Sequence, residues 1–190
     1  HLDLRHRPAH ASGGFFPNSG TAGNLPSGET YIVPYEGEVQ GQPTRSAGTL
    51  PVQFGDEVVV YRIVDNRAVE VLSEGPESQR EAEKLAVEPA YGNMAELGLG
   101  VLGDYGLKPT GEILLDEKLG LHIAFGRSDH FGGQVAPSHF TSADAVVHID
   151  RVYIPEMQPL VSVVSADLEM QDGTELALMR NGEYVIKWEA

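Results

Sequence analysis

The 190-residue chain contains no cysteine, so disulfides, thiolate metal sites and a cysteine nucleophile are all excluded. Any metal it binds must sit on nitrogen and oxygen donors. Basic residues are also scarce. The 13 Lys and Arg against 28 Asp and Glu leave a formal net charge of -15, which argues against nucleic acid and against anionic membrane surfaces as partners. No apolar run approaches the roughly 18–20 residues needed to cross a membrane. There is no internal repeat and no GxGxxG, Walker loop, HExxH or GxSxG motif. Gly132-Gly133 alone is too weak to imply phosphate binding. Ser128, Asp129 and His130 are hydrolase-triad residue types, but sequence neighbours rarely adopt the geometry of nucleophilic catalysis. The chain opens at His1 without a Met, a signal peptide or a transit peptide, and so reads as a processed or truncated piece with a cytoplasmic location as the expectation.

What remains is enough for one domain with a substantial core. Leu2 and Leu4 alternate briefly, which predicts a short strand before a loop rich in Gly, Ser and Pro. Valines and isoleucines flank Asp65-Asn66, a two-residue hairpin signal, and Gly55-Asp56 marks a turn before it, so residues 46–73 read as a meander. Pro76–Val87 has Pro at its first position and acids in its first turn, predicting a helix with a solvated charged face that Pro89 stops. The DEKLG segment predicts a single helical turn closing on Gly120. Two strands follow at about 160–170 and 174–179, and Asn181-Gly182 makes a hairpin before Tyr184, a tail read as sheet closure.

The chemistry concentrates between His122 and Asp150. Leu121, Ile123 and Phe125 alternate with His122, Ala124 and Gly126, which places the imidazole on the face with the small residues. His148 and Asp150 are two apart and share one face of a second strand, a pairing that suggests a metal. Between them Gly126–Gly133 has the composition of a site loop. Two further acids sit awkwardly. Glu29 opens an apolar strand after a Pro/Gly turn, where it either meets a partner or accepts backbone N–H bonds. Glu96 lies inside the apolar MAELGLG run, so it is on the surface, hydrogen-bonded or bound to a cation. His6 and His10, in a polar segment, read as solvated.

Taken in order, NLPSGE ending at Glu29, MAELGLG with Glu96, EKLGLHIAFG with His122 and VVHID with His148 and Asp150 resemble the thermophilic-type metallo-aminopeptidases of the M29 type. The resemblance implies that Glu29, Glu96, His122, His148 and Asp150 are ligands of a two-metal centre holding zinc, cobalt or manganese, acting on a peptide or small-molecule substrate. It also implies a homodimer. It makes residues 1–190 the metal-binding catalytic domain of a protein whose family carries a further N-terminal α/β domain, apparently absent here. Two positions depart from the family pattern. Asp129, with His130 beside it, stands where the family has Tyr, and Gly28 stands where it often has a second acid. Asp129 or His130 is therefore expected to substitute as ligand or general base. Two rivals stay open: a mononuclear Fe(II) ring-cleaving dioxygenase of the dihydroxypyridine type, resembled more distantly, and a non-catalytic metal-stabilised domain. The expected architecture is a β-rich α+β single domain with a mixed or antiparallel sheet, few helices, and the ligands on strand ends and loops.

Overall fold

The computed structural model describes residues 1–186. In chain order, β1 (His10–Ser12) and β2 (Glu29–Ile32) precede a meander of β3 (Gly48–Phe54), β4 (Glu57–Val64) and β5 (Arg67–Val71). The helix α1 (Pro76–Val87) follows, then β6 (Met94–Gly100), the single turn α2 (Ile113–Asp116), β7 (Leu121–Gly126), β8 (His148–Val152), β9 (Ser165–Glu169), β10 (Glu175–Arg180) and β11 (Glu183–Tyr184). Among the described residues the strands make a central five-stranded sheet in the order β1-β2-β6-β7-β8 and two three-stranded sheets, β3-β4-β5 and β11-β10-β9. Every pairing within them is antiparallel. The β-rich architecture expected from the sequence holds.

Local chemistry explains the connections. Asp65 and Asn66 both take positive φ, 49° and 65°, and Asn181 and Gly182 do the same at 52° and 83°, the backbone of a tight hairpin turn that matches strand twist. The helix begins at Pro76 as predicted, but Gly75 before it offers no side chain for a cap. Glu57 supplies the cap from β4: its carboxylate accepts from the backbone N–H of Glu77 and Ser78 at 3.0 and 2.7 Å.

The central sheet has two unlike faces. One carries Leu97, Leu99, Leu121, Ile123, Phe125 and Ile149. Phe125 joins Val52, Val59, Tyr61, Leu85 and Tyr91 in one core cluster, while Leu121 joins Tyr153 and Met179 in another, so both small sheets pack on this face. The other face is nearly free of large aliphatics, and it carries the polar residues described below.

Three expectations need correction. Leu2 and Leu4 form no strand: the segment is tied down by two bonds exchanged between the backbones of His1 and Ala47 and by one from Tyr35 N–H to the Asp3 carbonyl, while buried Asp3 engages Arg5. The tail does not close the central sheet but builds its own, and its strand starts only at Ser165. The charged face of α1 is not wholly solvated, because Glu81 is buried and its Oε2 accepts the hydroxyls of both Tyr61 and Tyr91 at 2.6 Å. No helix among the described residues is long and apolar enough to cross a membrane.

Glu81→Ala leaves two buried phenols without an acceptor. It should lower unfolding stability in urea by roughly 2–4 kcal/mol, the scale of unsatisfied buried polar groups; a loss under about 0.5 kcal/mol would show that the pair of bonds contributes nothing.

Candidate metal centre

Cross-strand register gathers the polar residues. Glu96 pairs with Ala124 and Ala124 with Asp150; Gly98 pairs with His122, Gly126 with His148, and Gly100 with Glu29. Directly paired residues share a face and a strand alternates with period two, so Glu29, Glu96, His122, His148 and Asp150 all project from one face of the sheet. Glu96, Gly98 and Gly100 alternate along β6 with Leu97 and Leu99, which face the core. This is why an acid can sit in an apolar run.

The glycines on this face are spaces for neighbours. A Cβ on Gly98 would lie 1.9 Å from His122 Nε2, and one on Gly100 would lie 2.3 Å from the backbone of Lys118. The imidazole thus lies over β6, and the turn at Glu117–Leu119 packs down on the strand end. That turn brings in two residues that the sequence reading did not single out. Lys118, 1% exposed, donates to Glu29 Oε1 at 2.5 Å and also to Glu117 Oε1.

Both imidazoles are aimed by backbone. His122 Nδ1 donates to the carbonyl of Gly120 at 3.1 Å and His148 Nδ1 to that of Arg127 at 2.8 Å, which turns each Nε2 towards the carboxylates. His122 Nε2 lies 3.4 Å from Glu96 Oε1 and 3.7 Å from Glu29 Oε2; His148 Nε2 lies 3.1 Å from Glu96 Oε2 and 3.6 Å from Asp150 Oδ1. The donors fall into two groups that share one residue, Glu29-Glu96-His122 and Glu96-His148-Asp150, with the donor atoms of each within 4.8 Å of one another. Glu29 Oε2 and Asp150 Oδ1 are buried without a hydrogen-bond partner among the described residues. Two orphaned carboxylate oxygens beside two imidazoles aimed by backbone carbonyls are the donor set expected for divalent cations, and the residues fit such ions.

Electrostatics follow from the crowding. Burial works against charge on His148, but Asp150 and Glu96 outweigh it and push its pKa up to about 10. His122 is raised in the same way, burial being overcome by Glu96 and Asp150. Burial alone would raise Glu96; its bonds to His122 and His148 hold it low instead. Glu117 is raised, by burial first and by the neighbouring Asp150 charge, despite Lys118. Burial and then the carboxylates of Glu96 and Glu29 also raise Tyr31, which stays a neutral phenol.

Glu29, Glu96, His148 and Asp150 form the floor of a cavity of about 590 Å³, while His122 is fully buried and does not reach its lining. The cavity wall includes Glu117, Tyr31, His130 and Phe131, with Phe15 and Phe16 from the loop after β1. His130 sits on this wall with its ring 5.0 Å from that of His148. Asp129 is instead held by Arg127 at 2.5 Å and does not line the cavity. The loop bearing both is anchored by Glu36, whose carboxylate accepts from Ser128 Oγ at 2.7 Å, Gln134 N at 2.5 Å and Asn93 Nδ2 at 2.8 Å. His10 stacks on Tyr31 and is not a wholly solvated residue, while His6 bonds Gln42 at the surface.

Fold and site together define a β-rich domain with a nitrogen and oxygen donor cluster at the floor of a cavity. The chain is similar to aminopeptidase T of Thermus aquaticus, 26% identical over 179 residues that cover 86% of this chain and 40% of the relative. Its fold is similar to that of wild-type AmpT from Thermus thermophilus, with a TM-score of 0.57 at 19% identity, over 97% of this chain and 46% of that one. The chain therefore spans less than half the length of these relatives. No protein-family profile matches it. The likeness to the metallo-aminopeptidases that the motifs carry extends along nearly the whole chain.

Two outcomes test this geometry. Gly98→Ala suits a strand backbone but collides with His122, so the variant should fold yet show a displaced His122 imidazole by NMR; an unmoved resonance would contradict the packing. For the metal-free protein the raised histidines set a sign. Their stabilisation is complete below the unfolded histidine pKa near 6.5 and is lost as pH rises through the folded value of His148, about 10. The urea midpoint of metal-free protein should therefore fall between about pH 7 and 10, with a shallower fall in His148→Gln. Parallel slopes in the two proteins would refute it.

Proposed function

We propose that this chain is the metal-binding catalytic domain of an aminopeptidase-like hydrolase, in which Glu29, Glu96, His122, His148 and Asp150 hold two divalent ions. The observation that carries this reading is Glu96, whose two oxygens face different imidazoles and belong to both donor groups. A carboxylate so placed is suited to bridge two cations. The similarity to aminopeptidase T supports the hydrolase class.

When bound, zinc, cobalt or manganese would lower the pKa of a water and polarise a carbonyl. The chain's own residues do the rest. Glu29 is oriented by Lys118, and His122 and His148 by the carbonyls behind them, so the donors are set before anything binds. Glu117 is the carboxyl on the cavity wall placed to accept a proton from water and return it to the departing nitrogen, with Lys118 holding its Oε1. His130 is the second proton carrier within reach; Asp129, neutralised by Arg127, serves to hold the loop.

Among the described residues no Lys or Arg lines the cavity, whereas Glu29, Glu96, Glu117 and Asp150 do, so the charge on the lining is of the sign that two divalent ions would offset. A single-iron oxygenase reading would need only three of these donors and would leave Glu29 and its unpartnered Oε2 without a role.

The test is elemental mass spectrometry on protein purified without chelator, with release of p-nitroaniline from aminoacyl substrates measured alongside. About two divalent ions per chain are expected, as in two-metal hydrolases, falling towards about one in Glu29→Ala together with activity. One iron unaffected by the substitution would replace this reading with oxygenase chemistry.

A further inference from the structure

Tyr31 lies two residues beyond Glu29 on β2, and its pairing with Gly98 puts it on the same sheet face as the donor cluster. Its partner in the register has no side chain, so the ring faces the cavity, which it lines. Aromatic neighbours hold the ring on two sides. His10, its partner on β1, stacks on it at 5.2 Å with the planes 22° apart, and Phe131 packs at 4.8 Å from the loop after β7. The phenol is thus fixed in direction, yet its Oη has no hydrogen-bond partner among the described residues.

The other polar groups on the floor make this hydroxyl stand out. Glu29, Glu96 and Asp150 are carboxylates, and His148 already spends its Nδ1 proton on a backbone carbonyl, as does the fully buried His122. Ser12, on the same face, is taken up by Ser27. Thr21 and Asn24 belong to the covering loop and not to the sheet that carries the cluster. Tyr31 is the sheet-borne donor with a proton free for a ligand. Amide hydrolysis needs such a donor, because negative charge gathers on the carbonyl oxygen as the tetrahedral species forms.

We propose that Tyr31 is a catalytic residue whose Oη donates a hydrogen bond to the substrate carbonyl oxygen as that oxygen becomes an oxyanion. The inference rests on the hydrolase reading above. Water oxygen bonds to the carbonyl carbon, the C–N bond breaks, and a proton from the water ends on the departing nitrogen; Tyr31 keeps its own proton throughout.

Tyr31→Phe keeps the ring, its stacking and the strand, so it removes the donor alone. With leucine p-nitroanilide as substrate, kcat should fall by about 100- to 1000-fold, the usual loss for one oxyanion donor, while KM and metal content stay near the parent's. Binding provides a readout independent of turnover. The aminophosphonate analogue of leucine, tetrahedral and anionic, should lose affinity in the variant by a larger factor than leucine itself. If the parent is active and the variant matches it in kcat and in the ratio of the two affinities, the role of Tyr31 is overturned while the hydrolase reading stands. If the metal-loaded parent neither turns over substrate nor binds either ligand, both fall together.

Discussion

Everything in this molecule turns on the crowding of carboxylates on one buried sheet face. Among the described residues Glu29, Glu96, Glu117 and Asp150 meet there with a single ammonium, Lys118, which pairs with only two of them. Without further positive charge, the imidazoles must take up protons to make good the deficit, which is why His148 is pushed up to about 10. Protons are a poor substitute, since Glu29 Oε2 and Asp150 Oδ1 still find no hydrogen bond among the described residues, the imidazoles standing 3.7 and 3.6 Å away. Buried charge without a full set of partners costs several kcal/mol, and divalent cations are what we propose to complete this arrangement.

The fold serves that need by dividing the labour between two faces. Leucines, isoleucines and Phe125 on the core face weld the central sheet to both smaller sheets, and stability is thereby placed where chemistry is not. The opposite face can then be given to polar groups and to the absence of side chains. Gly98 admits the His122 ring and Gly100 admits the Lys118 backbone, so close packing around the cluster depends on what those two positions lack. Behind the site, Glu36 ties the loop of His130 and Phe131 to the sheet through Ser128 and Asn93. The cavity wall is therefore built on fixed supports.

Local signals in the sequence mark the parts of this design that depend on neighbours in the chain. The turns at Asp65-Asn66 and Asn181-Gly182 and the helix after Gly75 follow from residues next to one another. Period-two alternation put His122 with Ala124 and Gly126, and His148 with Asp150, on common faces. Register between strands leaves no local trace. That Tyr31 lies across from Gly98, or that Glu117 and Lys118 fold back over Gly100, depends on pairings some seventy or fewer residues apart in the chain and on a single helical turn with no periodicity. Glu81 was hidden for the same reason: the hydroxyls that donate to its carboxylate, those of Tyr61 and Tyr91, lie on other elements, and on the helix itself it is one acid among several. Leu2 and Leu4 misled because brief alternation says nothing about whether an edge is available to pair with.

The central claim is that Glu96 stands between two cations. Crystals grown with cobalt and measured at its absorption edge test it directly. The account predicts two anomalous peaks about 3.5–4 Å apart, the spacing of two-metal centres, one among Glu29, Glu96 and His122 and the other among Glu96, His148 and Asp150. A single peak on His148 and Asp150 with Glu29 left paired only to Lys118, or no peak at the cluster, would contradict it.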